Sequence, residues 1–192
     1  MQNAILTETL IKDALRGLSP RAMHRVLFNL ADTYNQAAEL SLAQISSTGN
    51  ADYAAPAIMC RGFAVELLLK FFIVVRHPSV RSKADLDALG INLRGHPYSS
   101  LFDRIDVPLQ ESIAQKYSER SGTSTDAAGF RSVLISLGDS PFVDWRYVYE
   151  SSDRMHLDIA KLSVVVDSLG LAAQDETRRA EAKGPDNQDT PQ

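Results

Sequence analysis

The chain has 192 residues, 44% of them hydrophobic and 23% charged, with a formal net charge of −4. That length suits one ordinary domain, the composition excludes collagen-like repetition and wholesale disorder, and the acidic balance argues against non-specific coating of nucleic acid by phosphate neutralisation. The lone Cys60 excludes an internal disulfide and a cysteine-rich metal site, and its reduced state fits a cytoplasmic setting.

Residues 1–18 form a leading segment, with Ile5, Leu6, Leu10, Ala14 and Leu18 at helical spacing. It lacks the basic region and apolar run of a secretory signal, and Glu8 and Asp13 count further against one. Ser19-Pro20 then supplies a cap and a first helical residue for a long amphipathic helix whose stripe runs from Met23 through Leu30 and Ala38 to Ile45. Ser46 to Asn50 breaks it.

A second long helix is predicted from about Pro56 to Val75. From Phe63 onward it is apolar on nearly every side, so other helices should surround it. The greasiest part, Gly62 to Val75, contains two charges and is too short for the roughly 20 residues that cross a bilayer, so no membrane contact is expected. Ser82 caps a short helix at Lys83–Leu89 that Gly90 stops, His96-Pro97 opens another through Ile105, and Asp106 with Pro108 opens one to about Tyr117. A helix through Phe130 and Leu137 follows, then a break at Gly138-Asp139-Ser140-Pro141. Asp153 is a candidate cap for the last helix, in which Met155, Ile159, Leu162, Val166 and Leu169 recur. The pattern therefore predicts an all-α domain over residues 19–173, and a polar, disordered tail over residues 174–192.

Three groups of residues could carry chemistry. Glu66 and Lys70, four apart in an enclosed helix, must find partners there, either as a polar staple between helices or as the floor of a site shared with Gly62, Ile73 and His77 on one helical face. His96, at the mouth of a helix whose free amides favour an anion, could cap that helix, donate to a phosphate or act as acid or base. Trp145, Arg146 and Tyr147 lie in an aromatic run around one arginine, whose planar fork suits a carboxylate or phosphate ligand or an internal acid such as Glu66. From Arg76 to Arg104 five basic residues stand against three acidic ones, a weak basic excess.

No phosphate-binding glycine loop, nucleophile elbow or zinc helix is present, and His24, His77, His96 and His156 lack metal-ligand spacing, so no metal or other cofactor is expected. The segments Phe63-Ala64-Val65-Glu66-Leu67-Leu68-Leu69-Lys70, Gly95-His96-Pro97-Tyr98-Ser99-Ser100-Leu101-Phe102 and Trp145-Arg146-Tyr147, in that order after a long helix, resemble the HEPN superfamily over about residues 20–170. That resemblance implies an up-and-down bundle of four to five main helices with short accessory helices, and a homodimer. Many members of the superfamily are RNA-cleaving toxins, phage-defence or CRISPR-associated ribonucleases, while others bind nucleotides, RNA or proteins without catalysis. The nuclease members carry an arginine and, after four to six intervening residues, a histidine. Here the nearest approximations are Arg16 before His24 and Arg146 before His156, with seven and nine residues between.

Without that motif, the resemblance implies a non-catalytic module for RNA, a nucleotide or a protein partner, such as one encoded by a neighbouring gene, in a toxin–antitoxin or phage-defence system. Its ligand-binding set is Glu66, Lys70, His96, Trp145, Arg146 and Tyr147, with no catalytic residue assigned. The alternatives are a divergent metal-independent ribonuclease and a purely structural protein-interaction domain.

Overall fold

The computed structural model describes residues 22–146 and 157–182. The predicted leading helix, the Ser19-Pro20 start, Tyr147, Asp153 and Met155 lie outside the described residues, as do residues 183–192. The described chain is an all-α bundle with no strand among those residues.

Helix α1 spans Met23–Thr48 and ends at Gly49, whose φ of 69° is the left-handed conformation that lets its amide reach back to the Ile45 carbonyl at 2.8 Å. A 3-10 turn at Ala51–Tyr53 follows, capped by Asn50 Oδ1, which accepts from the Asp52 amide at 2.9 Å. Helix α2, Ala54–Val74, tolerates Pro56 in its first turn. Thirteen of its 21 residues are buried, more than one neighbour could cover. Helix α1, packed through the small residues Ala31 and Ala38, covers one side.

Helix α3, Lys83–Ala88, starts with the reciprocal Ser82–Asp85 capping box. Helix α4 is Tyr98–Phe102, ending before Ile105, and α5 is Val107–Ser121, running to Gly122 rather than stopping near Tyr117. Helix α6, Ala127–Ser136, is capped by Asp126 Oδ1 on the Gly129 amide at 2.7 Å. The Gly138–Pro141 break holds, yet it leads directly into a further short helix, α7, at Pro141–Arg146. Helix α8, Ile159–Ala182, starts at Asp158, whose Oδ1 accepts from the Lys161 amide at 2.8 Å. Helices α4, α7 and α8 complete the enclosure of α2, while α5 packs on α8 and α6. One core cluster joins these elements, with Phe71, Phe72, Tyr98, Phe102 and Phe130 among its largest fully buried side chains.

The expected tail needs correction, because α8 continues through residues 174–182. Glu176 is buried there, accepting from Arg76 Nη1 at 3.1 Å and from Arg179, and Arg76 Nε also meets Asp106 Oδ2 at 3.3 Å. The stretch reads as polar because its buried residue Glu176 is a paired carboxylate rather than an apolar residue. Among the described residues, no helix is long and apolar enough to cross a membrane.

Candidate functional site

Glu66 projects from the middle of α2, and only 1% of its side chain is exposed. Each of its oxygens is occupied. Lys70 Nζ, one turn on, donates to Oε1 at 2.6 Å, and His96 Nδ1, arriving from the loop before α4, lies 3.0 Å from Oε2. With the carboxylate oxygen as acceptor, Nδ1 is the donor, and Nε2 is the ring nitrogen that Glu66 does not engage. The ring is 53% exposed while Lys70 is 16% exposed, so the acid is sealed, the histidine is its open partner and the lysine is largely covered.

The wall beside this triad is aromatic. The ring of Phe142, on α7, stacks on Phe63 of α2 with centroids 4.6 Å apart and tilts toward His96 at 6.5 Å, and Tyr34 of α1 meets Phe63 edge-on at 4.7 Å. Gly62 makes this arrangement fit. A Cβ there would lie 3.1 Å from both the Phe142 backbone nitrogen and the Tyr98 hydroxyl, which donates to the Gly62 carbonyl at 2.5 Å. Gly62 is therefore a seat for α4 and α7 rather than part of the floor of a site. His77 also leaves that face, because α2 ends at Val74 and the His77 amide closes a turn onto the Val74 carbonyl at 2.8 Å.

The start of α4 likewise differs from its sequence reading. Asp139 occupies the Tyr98 amide with its carbonyl at 2.7 Å, the Ser99 amide with Oδ1 at 2.6 Å and the Ser99 hydroxyl with Oδ2 at 2.8 Å. These first amides already have a partner, so His96 neither caps the helix nor shares its amides with an anion. Asp139 does this from a φ of 60°, a conformation that aspartate tolerates better than most residues.

Of the six residues singled out from the sequence, Glu66, Lys70 and His96 come together. Trp145 is half-buried on α7, which packs against α2, while the Arg146 side chain and all of Tyr147 lie outside the described residues. Sequence reasoning missed Phe142 and Asp139. The run Gly138-Asp139-Ser140-Pro141 signals a turn, but not that its aspartate reaches a helix forty residues earlier.

The basic excess between Arg76 and Arg104 is largely absorbed. Arg76 pairs with Asp106 and Glu176, Lys83 pairs with Asp87 at 2.8 Å, and Arg104 donates to the Asn92 and Arg94 carbonyls at 3.1 and 2.8 Å. Arg94, two residues before His96, is exposed.

A second buried charge had no sequence signal beyond its position. Arg61, 4% exposed on α2, donates from Nη1 to Ser163 Oγ at 2.6 Å and from Nη2 to Glu39, joining α1, α2 and α8. Compared with known proteins, the chain matches no family model, no curated protein and no solved structure.

Proposed function

We propose that the chain is a HEPN-like, non-catalytic binding module for a phosphate-bearing ligand, either RNA or a nucleotide. The observation that carries this reading is the buried Glu66 carboxylate, which holds Lys70 and His96 in fixed positions, leaving the remaining Nζ–H groups of the lysine to donate to a phosphate and Nε2 of the histidine to accept from a sugar hydroxyl or a base N–H. A preorganised cation beside an exposed imidazole loses little side-chain entropy on binding an anion. Exposed Arg94, two residues before His96, adds a nearby charge along the chain, and the Phe142 ring, with Trp145 on the same helix, gives a base or sugar an apolar wall. The same reading includes a cytoplasmic homodimer acting with a partner encoded nearby, as in toxin–antitoxin or phage-defence systems.

The test is fluorescence polarisation with short labelled single-stranded RNA and with a labelled nucleoside triphosphate. Lys70→Ala should weaken binding about tenfold, the loss expected for one charge-assisted contact, and His96→Ala should weaken it by a smaller factor, the loss of one neutral hydrogen bond. Affinity should also fall with added salt. Absence of saturable binding to either probe, or binding indifferent to both substitutions, overturns the proposal.

One observation favours a second reading as a divergent metal-independent ribonuclease. An imidazole whose Nδ1 is held by a buried carboxylate presents Nε2 for proton transfer. RNA cleavage that disappears in His96→Ala and shows a bell-shaped pH profile would establish it.

A further inference from the structure

The face of α2 opposite Glu66 carries a second arrangement. Leu68, two positions on and roughly 200° around the helix, floors a cleft between α1 and α8. Helix α1 lines it with Phe28, Asp32 and Asn35, and α8 with Val166, Gly170 and Gln174, each set recurring at turn spacing along one helical face. The cleft is open on one side and has a volume of about 50 Å³. Gly170 sits at the centre, where a Cβ would meet nothing within 4 Å, so the gap is open room rather than close packing.

The polar atoms of this cleft share one character. Asn35 Oδ1 is buried and has no hydrogen-bond partner, a costly condition for an amide oxygen. The Asp32 carboxylate, on the exposed side, accepts from Gln36 Nε2 at 2.7 Å and retains further acceptor capacity. Among the described residues no lysine or arginine lines the space, while Phe28 contributes a ring face and Leu68 and Val166 apolar walls.

An anion would meet the Asp32 carboxylate and the Asn35 amide oxygen, and a purely apolar guest would leave Asn35 unsatisfied. We propose that this cleft binds a small primary alkylammonium, whose NH3⁺ donates to Asn35 Oδ1 and the Asp32 carboxylate while its first methylenes lie on Phe28, Leu68 and Val166. On this measure a single water needs roughly 10–15 Å³, so the cleft has room for an ammonium head and a short alkyl chain. The Asp32 side stays wet, so the cation need not shed all its hydration.

The experiment is an NMR titration of the full chain with n-propylammonium chloride, using n-propanol as the neutral probe of equal size and sodium chloride to match ionic strength. Saturating shifts are expected at the Gly170 amide and the Asn35 side chain, with n-propanol and the Asp32→Asn protein each about tenfold weaker. Gly170→Val, which fills the gap, should abolish the response. Asn35→Leu should do the same and serves if the valine variant fails to fold. Shifts that never saturate, an equal response to n-propanol, or saturation retained in the filled variant would each overturn the assignment.

Discussion

A carboxylate that is 1% exposed is tolerated only while its partners stay in place, and Glu66 depends on two from different parts of the chain. Lys70→Met is expected to cost about 2–3 kcal/mol in urea denaturation, less than the roughly 3–5 kcal/mol of a fully buried broken pair because the lysine head is partly wetted. Adding Glu66→Gln to Lys70→Met should recover part of that loss, since an amide is cheaper to bury than an unpaired charge. A double variant less stable than Lys70→Met alone would contradict this account. Asp139 makes a comparable test at the start of α4. Asp139→Ala should cost about 1–2 kcal/mol by freeing the Ser99 amide, and Asp139→Asn, which keeps an acceptor, should cost less than half of that.

Among the elements, α7 is the one whose seat depends on a single missing side chain. Gly62→Val places methyl groups where the Phe142 backbone and the Tyr98 hydroxyl already sit, and it should destabilise by about 1–3 kcal/mol as an overpacked contact. Cutting the chain after Ala173 removes Glu176 from Arg76, and a loss of about 1 kcal/mol should lower the melting temperature by roughly 2–4 °C in calorimetry. A disordered tail would leave the melting temperature unchanged. Helices with strong apolar periodicity or capping signals, such as α1, α2 and α5, were legible in the sequence. Helix α7 was not, because six residues carry too little periodicity and their placement comes from Gly62. The Glu66–Lys70 pairing was legible as local geometry four residues apart. The His96 contact was legible only as a candidate, since thirty residues of intervening chain decide where it lands.

For the molecule as a whole, the sharpest pH dependence is expected from His24. It is buried against Phe71 with Nδ1 unpartnered, and burial, reinforced by Arg25 and Arg81, holds its imidazole below the ordinary value. Above about pH 7 the histidine is neutral both folded and unfolded and contributes no slope. As pH falls through about 6.5, the unfolded chain takes up a proton that the folded chain resists, so stability drops with falling pH. Denaturation midpoints at pH 7.5 and 5.5 should show this loss, and His24→Phe should flatten it. No sequence pattern announced His24 as buried, because it falls beside the apolar stripe of α1, and the chain around Val80, whose carbonyl accepts from the Met23 amide at 2.7 Å, comes from far along the sequence to close on that end.

The seating of α7 has a practical consequence. Trp145 is the chain's only tryptophan and sits on this helix, half-buried, one turn from the ring that leans toward His96. Intrinsic fluorescence thus reports on one joint of the protein rather than averaging over many. An emission shift on adding a ligand would mean that the helix beside the Glu66 triad had changed its surroundings, with no engineered label.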